Sequence, residues 1–110
     1  MPWSIVYSSA VTRDEVLGLP SGLLARYLRY ADRMEQFGPD LGMPHTRAMG
    51  RGLFELRLTS AEGIARVMYC TLPDRRIVVL HAFEKKTEKT PRRNLEIAER
   101  RRKEVVRDQP

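Results

Sequence analysis

At 110 residues, with a net charge of +6 and a sequence pI near 10.0, the chain is one basic domain spanning 1–110. It is long enough for a single core and too short for a cofactor-binding domain joined to a separate catalytic one. No run approaches the roughly 20 apolar residues of a membrane span, MPWSIVYSS lacks the basic start and apolar centre of a signal peptide, and the single Cys70 excludes an internal disulfide. The expectation is a cytoplasmic protein with no membrane association and no cofactor or metal.

Residues 3–9, WSIVYSS, alternate Trp3, Ile5 and Tyr7 with Ser4, Val6 and Ser8, which predicts a strand with one face on a core. Thr12 or Asp14 then suits the cap of a short helix, LPSG breaks it, and Ser21 suits the cap of the next. From Leu24 the apolar positions Tyr27, Leu28, Ala31, Met34 and Phe37 keep helical spacing until Gly38-Pro39. The Pro- and Gly-rich stretch 39–52 predicts a loop. GLFELRL (52–58), GIARVMYCT (63–71) and RIVVLHAF (76–83) read as three strands whose short connections imply antiparallel pairing. Thr90-Pro91, a capping residue and a proline suited to the first helical position, precedes a helix carrying Leu95, Ala98, Arg102, Val105 and Val106. The predicted class is α+β: a small antiparallel sheet, two N-terminal helices and a basic C-terminal helix, in the order β-α-α-β-β-β-α.

Period-two alternation places Phe54, Leu56, Leu58, Val67, Tyr69, Val78, Leu80 and Ala82 toward the two helices, and Glu55, Arg57, Arg66 and His81 on the opposite, uncovered face. Lys85 and Lys86 emerge at its rim. Residues 84–107 hold ten Lys or Arg against five Glu, a net of +5, so most of the chain's positive charge sits in its last quarter. Arg57 and Arg66, with Lys85, Lys86 and Lys89 at the end of the adjoining strand, fit a cradle for a phosphodiester, since Arg offers a planar fork and Lys a compact charge. The alternative is an ordinary solvated sheet face on which Glu55 pairs with an arginine.

The ordered set ELR, then R-x-x-Y at 66–69, then H-x-F-x-K-K-x-x-K-T-P at 81–91 resembles the RelE/ParE superfamily of type II toxins, in its phage-derived HigB-like subgroup, over about residues 3–107. The resemblance implies a ribosome-dependent mRNA endonuclease that inhibits translation, partnered by a helix-turn-helix, HigA-like antitoxin, with ribosome and mRNA as targets and DNA reached only through the antitoxin. Arg57 and Arg66 fall on the family's basic strand positions, and Lys86 or Lys85 on the one after the last strand. Glu55 stands where RelE itself has a lysine, and the family's C-terminal tyrosine falls near Arg92, which leaves the general base open.

RNA carries its own nucleophile, the 2′-hydroxyl, so cleavage needs alignment, a proton acceptor, charge for the phosphorane and a proton for the leaving oxygen. Arg57 and Arg66 suit the charge, and Lys85, Lys86 or His81 the proton transfers; His81 equally suits packing on the sheet. Tyr69 belongs with the core or stacks on a base. His45, in a loop, receives no role. Lys89, Arg92, Arg93, Arg100 and Arg101 suit RNA, or the helix that carries the arginines suits the antitoxin. The rival functions are a ParE-like inhibitor of DNA gyrase and a noncatalytic basic nucleic-acid-binding module.

Overall fold

The computed structural model describes residues 2–86 and 89–109, so Thr87 and Glu88 of the basic block lie outside the described residues. Strand β1 (Ser4–Tyr7) leads into helix α1 (Ala10–Leu17) through Ser9, whose hydroxyl accepts the Thr12 N–H at 3.3 Å. The cap falls at Ser9 rather than Thr12 or Asp14 because Thr12 turns inward, fully buried, and donates to the Leu80 carbonyl at 3.2 Å. Helix α2 (Ser21–Phe37) follows Pro20 and ends at Gly38, whose N–H bonds the Met34 carbonyl at 2.8 Å. Ser21 is its first residue rather than its cap, and the orphan Gly22 N–H donates instead to the Glu62 carboxylate. The buried stripe of α2 is Leu23, Tyr27, Tyr30, Ala31 and Met34; Leu28 and Phe37, expected inside, are exposed.

Next come β2 (Thr46–Gly50), β3 (Leu53–Ser60), β4 (Gly63–Leu72), β5 (Arg76–Lys85) and helix α3 (Arg92–Arg107). The stretch expected to be wholly loop thus contains a strand, giving β-α-α-β-β-β-β-α. Thr90 does not cap α3; it is drawn away to bond Glu55, and Pro91 stands just before the helix.

The five strands lie in the order β1-β5-β4-β3-β2. Helices α1 and α2 carry the chain from one edge of the sheet to the other. Three hairpins then walk it back antiparallel, until β5 lies beside β1 and parallel to it, with Val6 opposite Val78. The sheet is therefore mostly antiparallel, with one parallel pair. In the last hairpin Asp74 and Arg75 both take positive φ, the twist that a tight hairpin turn requires.

Both faces are buried in part. Leu56, Leu58, Val67, Tyr69, Val79 and Ala82 pack against Val16, Leu23, Tyr27 and Met34 of α1 and α2. On the other side Leu53, Met68, Cys70, Val78 and Leu80 lie with Ala98 of α3, and Leu95 and Val105 pack against them. Val78 and Leu80, expected on the side of α1 and α2, lie on the opposite side for a local reason. Met68 pairs His81 and Tyr69 pairs Val79, so Leu80 is an extra residue that reverses the phase of β5. Val78, in the first half of the strand, falls under α3 with Leu80, whereas Ala82 beyond the bulge faces α1 and α2. The face expected to be uncovered is therefore half covered by α3. Burial pushes the Cys70 thiol up to about 11 against the opposing influence of Arg102, which keeps it a neutral, apolar side chain.

Helix α3 comes down on the β2–β3 turn at Gly52, which has φ +79 and lies so close to Arg102 that an added Cβ would stand 2.6 Å from its guanidinium. Gly52→Ala is expected to lower stability by about 1–2 kcal/mol, from the left-handed backbone and the displaced Arg102. Urea unfolding measures it, and an unchanged midpoint would contradict the close approach.

Candidate functional site

Arg57 and Arg66 sit directly opposite each other across the β3–β4 ladder. Two like charges in that position repel, so the pair needs an anion. Glu55, two residues before Arg57 and on the same face, supplies one: its Oε1 lies 3.4 Å from Arg66 Nε and 3.7 Å from Arg57 Nη1, and its Oε2 accepts the Thr90 hydroxyl at 2.6 Å. Glu55 is 1% exposed and Arg66 4%, whereas the Arg57 side chain keeps 26% of its surface open. Arg66 is thus no exposed strand-face arginine. It lies on the middle strand of five, between Arg57 and Phe83, and its Nη1 donates to the Ala65 carbonyl at 3.0 Å.

Because β2 pairs with β3 only as far as Thr46 opposite Leu56, the second half of β3 borders an open edge. A cleft of about 260 Å³ forms there, between Arg26 and Tyr30 of α2, His45 of the loop before β2, Arg57 and Thr59 of β3, and Arg66 of β4. Arg26 and Tyr30 are one helical turn apart and share a side of α2. One carboxylate stands behind two guanidiniums and a third opens on the other wall, so the cleft is set up for an anion with several oxygens.

The loop carrying His45 is tightly built. The Thr46 hydroxyl accepts the N–H groups of Leu41 at 2.9 Å and Gly42 at 3.0 Å, and donates to Asp40 at 3.1 Å. The His45 and Thr46 N–H groups both reach the Gly42 carbonyl at 3.0 Å, and the Arg57 N–H donates to the His45 carbonyl at 2.8 Å. The imidazole packs against the Tyr30 ring, centroids 4.9 Å apart. Tyr69, entirely buried, donates its phenol to the Pro39 carbonyl just upstream, and burial raises its pKa.

The other basic residues divide by position. Lys85, the last residue of β5, pairs Ile64 two steps from the Phe83–Arg66 pair, so it shares the Arg66 face and is buried; Lys86 leaves the strand and is exposed. Lys89, Arg93 and Arg100 are exposed, and so is Arg92, which pairs with Glu96 at 3.2 Å. Arg101 turns inward, donating to Glu15 and to the Leu80 carbonyl, both at 2.9 Å.

His81 belongs to that same inward network rather than to the cleft. Its Nδ1 lies 2.9 Å from Glu15 Oε1 and its Nε2 2.8 Å from Asn94 Oδ1, and its ring stacks on Phe83 at 5.1 Å. The network joins α1, β5 and α3. Burial tends to raise the Glu15 pKa, but hydrogen bonds from Arg101, His81 and the Ala82 N–H outweigh it and hold the carboxyl below 4.5. A depressed folded-state pKa stabilises the fold above 4.5, and that stabilisation is lost as pH falls through the folded value. The stability advantage of the natural chain over Glu15→Gln in urea should therefore be full at neutral pH and shrink steadily below 4.5. An advantage independent of pH would contradict it.

Among the described residues no group of three or more His, Cys, Asp or Glu stands together to hold a metal ion, and no helix is long and apolar enough to cross a membrane. Arg26, Tyr30, Pro44, His45 and Thr59 are the cleft residues that sequence alone does not single out. Arg26 and Tyr30 carry a faint signal, their four-residue spacing, while His45 is brought to Arg57 only by the β2–β3 pairing.

A family model described as "Phage derived protein Gp49-like (DUF891)" matches residues 14–103. No curated protein matches the chain. Among solved structures, the chain is similar to one in the archaeal RelE–RelB complex from Pyrococcus horikoshii OT3, at 19% identity and a TM-score of 0.50, over 76% of this chain and 96% of that one. The likeness is one of fold: an α+β arrangement of a five-stranded, mostly antiparallel sheet with three helices.

Proposed function

The chain belongs to the phage-derived Gp49-like family, and from that premise we propose that it is the toxin of a type II toxin–antitoxin pair, acting as a ribosome-dependent mRNA endonuclease. The observation that carries this reading is the opposed Arg57–Arg66 pair, held by one buried carboxylate at the wall of an open cleft. Such a pair can grip two phosphodiester oxygens and gains most when the phosphorane adds negative charge. Cleavage then proceeds by attack of the 2′-hydroxyl on the adjacent phosphorus.

Lys85 and Lys86 extend the positive field along the substrate, and Lys89, Arg92, Arg93 and Arg100 bind the phosphates of mRNA or ribosomal RNA. Arg101 serves differently, tying α3 to α1 through Glu15 and to β5 through the Leu80 carbonyl. The ribosome supplies the in-line geometry by presenting the codon, so little is asked of the protein beyond charge and proton transfer. Its partner is an antitoxin of helix-turn-helix type, which carries any contact with DNA.

The test compares two messages at equal toxin concentration, one with its start codon intact and one with it destroyed, in the presence of ribosomes. Codon-phased cuts in the first alone are expected. Equal cleavage of both would replace the reading with a free ribonuclease, and cleavage of neither, with gyrase inhibition, would replace it with the rival toxin class.

A further inference from the structure

We propose that His45 is the proton-accepting residue of this site, taking the proton from the 2′-hydroxyl of the nucleotide whose phosphodiester rests on Arg57 and Arg66. The inference rests on the endonuclease reading and deepens it by naming the base. Proton transfer needs a side chain that reaches the reacting atoms and is held still. His45 lines the same cleft as both arginines, its backbone is fixed by Gly42 and by the Arg57 N–H, and Tyr30 packs against its ring.

The competing bases are placed for other work. Glu55 is buried against Arg66 and Arg57 and accepts Thr90. His81 has both ring nitrogens engaged between α1 and α3. The Tyr69 phenol is buried, bonded to Pro39 and raised in pKa, so it holds its proton. Imidazole is the side-chain type that ordinarily exchanges a proton between pH 5 and 8, and His45 is the imidazole among the described residues that line the cleft. The charged or titratable groups facing it are Arg26 and Tyr30 from α2, Arg57 from β3 and Arg66 from β4, with Asp40 in its own loop bonded to Gly42 and Thr46.

An imidazole nitrogen lone pair takes the O2′ proton, the O2′–P bond forms, and the P–O5′ bond breaks with its electron pair passing to O5′. O5′ takes a proton from water, and the imidazolium returns one to solvent. The products are a 2′,3′-cyclic phosphate and a 5′-hydroxyl.

The experiment measures single-turnover cutting of ribosome-bound message by the natural chain, His45→Ala and His45→Gln, as a function of pH. The message carries either oxygen or sulfur at the 5′-bridging position of the mapped cut. Both variants should be slower by about 10²- to 10⁴-fold and lose the rising limb of the pH profile. The defect should be undiminished with sulfur, which leaves without a proton, and imidazole added to His45→Ala should restore part of the rate. Rates within about threefold of the natural chain overturn the assignment, and so does a defect that vanishes with the sulfur message, which marks a general acid. If the natural chain cuts neither message, the endonuclease reading falls and the inference with it. If the natural chain cuts and the variants cut equally, only the inference falls.

Discussion

Arg57→Ala is expected to fold normally and to cut ribosome-bound message about 10²- to 10³-fold more slowly, the loss typical of removing one preorganised stabiliser of transition-state charge. The fold tolerates the change because the side chain is only half-buried and its ion pair with Glu55, at 3.7 Å, is long. Arg66→Ala is expected to be as inactive for two reasons at once, since it also removes a buried partner of Glu55. Activity loss in Arg66→Ala therefore says little alone. Arg66→Lys separates the effects: it retains charge near Glu55 but not the planar fork, so stability should recover further than rate. Circular dichroism and urea unfolding read the first quantity, and single-turnover cutting the second. An Arg57→Ala protein that is folded and fully active would remove the cleft from the mechanism.

Glu55→Ala should destabilise the domain by on the order of 3 kcal/mol, a melting point lower by about 10–20 °C, because the carboxylate facing two opposed guanidiniums disappears from a buried position. The surroundings of Glu55 explain why a carboxylate works here: it is the counter-ion that lets Arg57 and Arg66 stand opposite each other. Thermal unfolding should show the loss even without any substrate. Bound polyanion should return part of it, since an anion in the cleft relieves the same repulsion and binds only the folded form. A Glu55→Ala protein as stable as the natural chain would mean that the arginines are not held by this carboxylate.

The alternation of LFELRL and IARVMYC was legible in the sequence and placed Arg57 and Arg66 on one face, as the ladder does. Local pattern could not reveal what covers that face, because the burial of Arg66 depends on tertiary neighbours on β3 and β5 and α3 is placed by distant contacts such as Arg102 on Gly52. Strand β2 was hidden by the Pro and Gly around it and by its own irregular pairing between Ala48 and Gly50. The phase of Leu80 was hidden by a bulge, which leaves no mark on hydrophobic spacing. Leu28 and Phe37 matched the helical period yet face outward, while Tyr30 takes the inner position, so the stripe was right in period and rotated in phase. His45 joins the cleft only through pairing between residues far apart in the chain, and nothing in PDLGMPHTRAMG announces it.

The most direct measurement maps the 5′ ends of cellular mRNA after brief induction of the natural chain and of Arg57→Ala at matched levels. New 5′-hydroxyl ends inside translated reading frames, in phase with codons, are expected with the natural chain, and a return to background with Arg57→Ala. Arrested growth with no new mRNA ends, or the same ends with both proteins, would contradict that expectation.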